Sequence, residues 1–126
     1  MTADYQHSLS FSVVEKTADT ARAEMETSSD MLNPFGTVHA GALIWFADVT
    51  ATHCALGDTV VAEDGKGFPL AIDLHTVLAG NVPAGHKIYA TSHTKKRGRK
   101  LVVVHTDVKS EEGKLLIQLT STHMIA

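Results

Sequence analysis

At 126 residues the chain has the size of a single domain around one hydrophobic core, and its 44% hydrophobic and 20% charged residues place it far from disorder. Lysine plus arginine number 11 against 14 acidic residues, a net charge of −3, so no electrostatic force gathers it on nucleic acid or an anionic membrane. One cysteine, Cys54, excludes an internal disulfide and fits a reducing cytoplasm, and no run reaches the roughly 20 apolar residues of a membrane span. Residues 1 to 11 have neither a basic start nor a long apolar run, so no leader is expected.

In chain order, Leu9, Phe11 and Val13 alternate with Ser10, Ser12 and Val14, and Ala21, Ala23 and Met25 alternate with Arg22, Glu24 and Glu26. A period of two predicts two strands, with residues 17 to 20 as the turn of a hairpin. Residues 28 to 38 read as a loop broken by Asn33, Pro34 and Gly36. From 39 to 56 the period changes: Leu43, Phe46, Ala47, Ala51, Cys54 and Ala55 recur at helical spacing, and Gly57 supplies the stop. Ile44, Trp45 and Val49 carry the apolar surface further round, so this is a central helix, buried in the protein or in an assembly. After a polar loop, residues 57 to 67, come four strand-like runs at 68 to 78, 86 to 95, 100 to 110 and 114 to 124. Their short Gly-bearing links predict a meander in which consecutive strands are antiparallel neighbours. The whole chain, 1–126, is thus expected to be one α+β domain, a long central helix wrapped by a curved antiparallel sheet of five to six strands.

The last strands carry apolar residues on both faces. Leu101 and Val103 oppose Val102, Val104 and Val108, and Leu115, Ile117 and Leu119 oppose Leu116. A sheet with one face in water alternates apolar with polar, so the excess predicts a homo-oligomer in which a second copy covers that face or pairs an edge. β-Propensity of valine is the competing explanation.

Asp48 is the only carboxylate between Asp30 and Asp58 and lies in the most apolar stretch of the helix. Burying an unpaired charge costs several kcal/mol, by a rough estimate, so its presence needs a structural partner or a chemical task. The helix start at Ala40 and Gly41 presents free backbone amides and the positive end of the dipole, a site for an anion or a developing oxyanion. Asp48 is two turns away, roughly 10 Å at 5.4 Å per turn. A substrate between two antiparallel central helices would meet the amides of one and the carboxylate of the other.

The segment Asn33, Pro34, Phe35, Gly36, Thr37, Val38, His39, Ala40, Gly41, continuing to Ala47 and Asp48, resembles the hotdog-fold acyl-CoA thioesterases, specifically the PaaI-like and 4-hydroxybenzoyl-CoA thioesterase group. That family's pattern is an Asn, a His-Gly-Gly and an acidic residue within the long helix. The resemblance continues through residues 70 to 74, the turn at Arg97, Gly98, Arg99 and Lys100, and the last hairpin at residues 112 to 115. It implies a hotdog fold and hydrolysis of an aryl or medium-chain acyl-CoA, with coenzyme A arriving as part of the substrate and no separate cofactor. It also implies that Asp48 is the nucleophile or general base, that the amide at Ala40 beside Gly41 polarises the thioester carbonyl, and that Asn33 and His39 shape the pocket. Position 40 is Ala where the family has the first Gly of its pair, and position 71 is Ala where several relatives carry Ser or Thr.

Other polar residues are read beside this. Thr52 lies one turn beyond Asp48 and either binds it or a water, or donates to its own i−4 carbonyl. The basic turn, with Lys95, Lys96, Arg97, Arg99 and Lys100 around Gly98, is either a solvated hairpin or the mouth for the phosphates of coenzyme A. The eight histidines show no metal-ligand spacing, and no metal is expected. The reading is a cytoplasmic thioesterase acting as a dimer or a homotetramer built as a dimer of dimers. A non-catalytic acyl-CoA binding protein and an acyl-thioester hydratase or dehydratase are the alternatives.

Overall fold

The computed structural model describes residues 3 to 126; Met1 and Thr2, the first residues of the stretch read as carrying no leader, lie outside it. Six strands and one long helix follow in the order β1 (Ser12–Lys16), β2 (Thr20–Glu26), a 3-10 turn at Ser29–Met31, α1 (Ala40–Leu56), β3 (Pro69–Leu78), β4 (Lys87–Arg97), β5 (Leu101–Ser110) and β6 (Leu115–Ile125). All pairings are antiparallel, in the order β1-β2-β4-β5-β6-β3. The sheet wraps α1, which packs against β2, β3, β4, β5 and β6. Four bulges, at Val13/Glu15, Ala71/Asp73, Thr94/Lys96 and Val108/Lys109, give it the curvature that wrapping requires. Among the described residues no helix is long and apolar enough to cross a membrane.

The core follows the periodicities. Ala21, Ala23 and Met25 of β2, Ile88 and Ala90 of β4, and Val102, Val104 and Val108 of β5 face α1 and are buried. Small residues on β2 and β4 let the helix approach closely, and Phe46 fills the space with no exposed surface. Buried hydroxyls on this face are paired, Ser92 with Thr106 at 2.6 Å, while the Thr50 hydroxyl donates to the Phe46 carbonyl at 2.7 Å. Residues 9 to 11 leave the predicted strand because Phe11 turns onto Trp45 and Phe46, at 4.9 and 5.0 Å between ring centroids.

The meander needs correction. β4, β5 and β6 are consecutive neighbours, but β3 pairs with β6 at the edge, and β4 lies beside β2. The link from β3 to β4 is therefore a crossover, not a hairpin turn. It is fixed from within: Val82 is buried, the Val38 amide donates to the Val82 carbonyl at 2.9 Å, and Asn81 Nδ2 donates to the Val38 carbonyl at 2.9 Å. Gly80 passes so close to β6 that a Cβ would meet the Leu115 carbonyl at 2.8 Å. The crossover thereby clamps the loop that delivers the helix start.

The apolar excess is also distributed differently. Leu116 and Ile117 are both buried, because the bulge opposite Val108 and Lys109 turns successive residues inward. Exposed apolar surface instead gathers on β3, where Leu70, Ile72, Leu74, Val77 and Leu78 are each 42 to 54% exposed on a strand with one unpaired edge.

Candidate active site

α1 begins where the loop is most tightly built. Asn33 Oδ1 accepts from the amides of Phe35 at 2.9 Å and Thr37 at 3.2 Å, and its Nδ2 donates to Thr37 Oγ1 at 2.9 Å. Asn33 thus holds the turn through Gly36, and its side chain is spent on the loop itself. The His39 amide donates to the Met31 carbonyl at 2.8 Å, and His39 takes the N-cap position with φ −54° and ψ 137°. Its side chain does not cap the helix, and its ring packs edge-on against His7 at 4.6 Å. The amides of Ala40 and Gly41 make no hydrogen bond among the described residues, and both residues are exposed. Gly41 borders a cavity of about 290 Å³ walled by Tyr5, His7, Leu9, Met31, His39, Gly41 and Ala42. Free amides at the positive end of a 17-residue helix are suited chemically to hold an anion or a developing oxyanion.

Asp48 opens on a different cavity, about 410 Å³, walled by Val49, Thr52, His53, Leu56, Phe68, Pro69 and Ala71. One carboxylate oxygen, Oδ1, is buried without a hydrogen-bond partner. Buried acceptors are as a rule paired, so an unpaired one calls for a reason. Burial raises the carboxyl pKa above the ordinary 3.8, and the charge of His123 pulls it back down. The Thr52 hydroxyl donates to the Asp48 main-chain carbonyl at 3.0 Å, so its proton goes to the helix backbone and not to the carboxylate.

The basic turn lines neither of these two cavities. Arg97 closes the C-terminal end of α1: its guanidinium donates to the carbonyls of Ala55 at 2.8 Å, Ala18 at 2.9 Å and Cys54 at 3.2 Å, and pairs with Asp19 at 3.2 Å. Gly57 ends the helix at φ +55°, where a Cβ would strike the Ala18 carbonyl at 2.6 Å. The Gly98 amide donates to the Leu101 carbonyl at 2.8 Å, closing the turn, while Arg99 and Lys100 are exposed. Arg97→Ala is accordingly expected to lower stability by about 1–2 kcal/mol through the orphaned carbonyls, with KM for a CoA ester unchanged. Denaturant unfolding and steady-state kinetics check the two halves of that expectation.

In one chain, then, Asn33, His39, Ala40 and Gly41 come together, Asp48 and Thr52 share a second cavity, and residues 97 to 100 lie at the far end of the helix. A buried polar residue that the sequence did not single out is His123. It is fully buried on β6, its Nε2 bonds Ser121 Oγ at 2.9 Å, and its Nδ1 has no partner. Burial lowers its pKa below the ordinary 6.5, while the Pro69 carbonyl and the Asp48 charge raise it. A signal for it existed: Ser121 and His123 fall in phase with Ile117 and Leu119, the inward positions of β6. Among the described residues no group of three or more His, Cys, Asp or Glu is arranged to hold a metal.

Comparison with known proteins adds to this geometry. The family model of the thioesterase superfamily matches residues 35–117. A zebrafish thioesterase superfamily member 2 structure superposes with a TM-score of 0.80 at 22% identity, covering 92% of this chain and 81% of that one. A mutant of the phenylacetic acid degradation protein PaaI from Thermus thermophilus gives 0.83 at 22% identity, covering 94% and 95%. The smu.793 protein of Streptococcus mutans UA159, solved bound to acetyl CoA, gives 0.82 at 14% identity, covering 93% and 89%. Among curated proteins no sequence matches.

Proposed function

The chain belongs to the thioesterase superfamily and has the hotdog fold of the PaaI proteins, and from that premise we propose that it is a cytoplasmic acyl-CoA thioesterase whose active site is completed by a second copy. Family membership gives the reaction class, hydrolysis of a thioester. Water attacks the carbonyl carbon as Asp48 takes its proton, or Asp48 itself attacks and water then hydrolyses the acyl anhydride it forms. The oxyanion rests on the amides of Ala40 and Gly41, the C–S bond breaks, and the departing thiolate is protonated, leaving free acid and coenzyme A. Asn33 and His39 keep the cradle in shape. Arg99 and Lys100, with the main chain of Gly98, offer positive charge to phosphates, while Arg97 and Thr52 support the frame around them.

A single observation carries this reading. One helix bears two unpartnered polar features, a pair of free amides at its start and, midway along it, a half-buried carboxylate with an unsatisfied oxygen, and Gly41 and Asp48 border separate cavities. Two copies side by side through the unpaired, apolar edge of β3, next to the Asp48 cavity lined by Pro69 and Ala71, supply a reason for both. The bound acetyl CoA of the S. mutans protein supports a CoA ester as ligand. The apolar cavity at the helix start favours an aryl or medium-chain acyl group.

The test is a panel of aryl and medium-chain acyl-CoAs assayed by release of free thiol. Turnover of at least one is expected. An acyl-CoA that binds in a calorimeter and stays intact through long incubation would overturn hydrolysis and favour a binding protein.

A further inference from the structure

Residues 3 to 11 belong to no helix or strand, and among the described residues none of the main-chain hydrogen bonds outside helices and strands involves them. Side chains hold the segment instead. Phe11 is fixed on Trp45 and Phe46, at 4.9 and 5.0 Å between ring centroids, and Leu9 packs on the core. His7 Nδ1 lies 2.6 Å from the Asp30 carbonyl oxygen, which can only accept, so that nitrogen carries the proton and donates. The same ring packs edge-on against His39 at 4.6 Å. Asp30 belongs to the 3-10 turn whose next residue, Met31, accepts the His39 amide at 2.8 Å. One turn thus ties this segment and the start of α1 through adjacent carbonyls.

We propose that residues 5 to 9 are a strap that forms the adjustable wall of the cavity bordered by Gly41 and selects the acyl group by length, with Tyr5 and Leu9 as contact side chains and His7 as the clasp. The proposal rests on the acyl group of the thioester entering that cavity. Its walls differ in kind. Met31 and Ala42 are 2% and 4% exposed and belong to the core, so their part of the wall is fixed. Tyr5, His7 and Leu9 line the cavity from a segment with no ladder behind it, the arrangement that opens at low cost. Tyr5 is 80% exposed, a large ring left in water beside the cavity. An acyl chain long enough to reach it covers apolar surface on both partners, and a short one does not. At about 290 Å³ the cavity is at the small end of ligand sites, roughly 300–1,000 Å³, so the wall side chains decide how many carbons fit.

A series of S-alkyl-CoA thioethers, methyl to decyl, tests this without turnover. They lack the carbonyl that the helix amides would hold, so the dependence of their affinity on length reads the cavity. Calorimetry is expected to show wild-type affinity rising with length. In Tyr5→Ala the ratio of octyl to methyl affinity is expected to fall about fivefold or more, since each methylene that loses its apolar contact weakens binding about fourfold. Tyr5→Phe keeps the ring and is expected to keep the wild-type ratio. Neither substitution threatens the fold at so exposed a position. An unchanged ratio in Tyr5→Ala overturns the proposal. Chymotrypsin gives a second reading: cleavage after Tyr5, identified by mass spectrometry, is expected to slow about threefold or more with the octyl thioether and not with the methyl one, each at saturation. It is expected to quicken in ligand-free His7→Ala, where the clasp is gone. Equal rates with the two thioethers overturn the strap, and a wild-type rate in His7→Ala overturns the clasp. A wild type that binds the thioethers yet hydrolyses no acyl-CoA loses the thioesterase reading alone, and the ratio still decides the strap. A wild type that binds none of them overturns the strap.

Discussion

Asp48→Asn is expected to reduce kcat about 10³-fold while making the protein more stable at neutral pH. The loss follows from the only carboxylate on α1: amide replaces carboxylate at nearly constant shape, so packing against Val49 and Thr52 survives and the base is gone. The gain follows from the direction of the pKa shift. Burial raises the folded carboxyl above the ordinary 3.8, so the fold disfavours the ionised form. That penalty is absent below the unfolded value, grows as the pH rises from there through the raised folded value, and is complete above it. An asparagine side chain escapes it. Chemical denaturation of the two proteins at pH 7 and near pH 4 checks the sign: the difference favours the Asp48→Asn variant at pH 7 and shrinks toward the lower pH. A variant that is both inactive and less stable at pH 7 would place Asp48 among residues that hold the fold. His123 contributes in the opposite sense, since a histidine buried neutral loses its share of stability as the pH falls below 6.5. Gain of function from instability at one carboxylate is the usual relation between an active site and the fold around it.

Much of this frame was legible in the sequence, and the parts that were not share a physical cause. The helix from Ala40, the Gly57 stop and the six runs of strand follow from local period and punctuation, which the sequence carries directly. The place of β3 does not. Gly80, Pro83 and Gly85 have the composition of a turn, yet whether the chain returns beside β3 or crosses to β2 is decided by Val82 finding the core and Asn81 finding the Val38 carbonyl. Both are contacts with distant residues. The site divides the same way. Asp48 was visible as a charge in an apolar helix, and Ala40 and Gly41 as its start. Arg97, read in a charged turn, has its guanidinium on carbonyls of α1 and the first hairpin, which no spacing within the turn reveals. His123 reads along the chain as one more scattered strand histidine, and its burial follows from the packing of β6 against α1, a contact between distant residues.

Ala40→Pro tests the other half of the site with almost no other change. Ala40 is the first residue of α1, where proline is well tolerated because its missing N–H has no helical partner in any case. His39, with φ −54° and ψ 137°, already has the extended backbone that a following proline requires. The thermal midpoint is therefore expected to stay within a few degrees of wild type, while kcat falls about 10²-fold or more if the Ala40 amide holds the oxyanion. Unchanged kcat would assign the oxyanion to another donor. Mixing decides whether the site is shared between copies. Ala40→Pro keeps its carboxylate and Asp48→Asn keeps its amides, so in a mixed dimer one of the two interfacial sites has both groups intact and the other has neither. Random reassortment of equal amounts then restores about a quarter of wild-type activity, from two proteins that are each nearly inactive. A site formed within one chain gives no such recovery, because every chain in the mixture lacks one of the two groups. Recovery on co-refolding, set against simple mixing of the separately folded variants, thus reads directly whether the free amides and the free carboxylate of α1 meet only across a pair of helices.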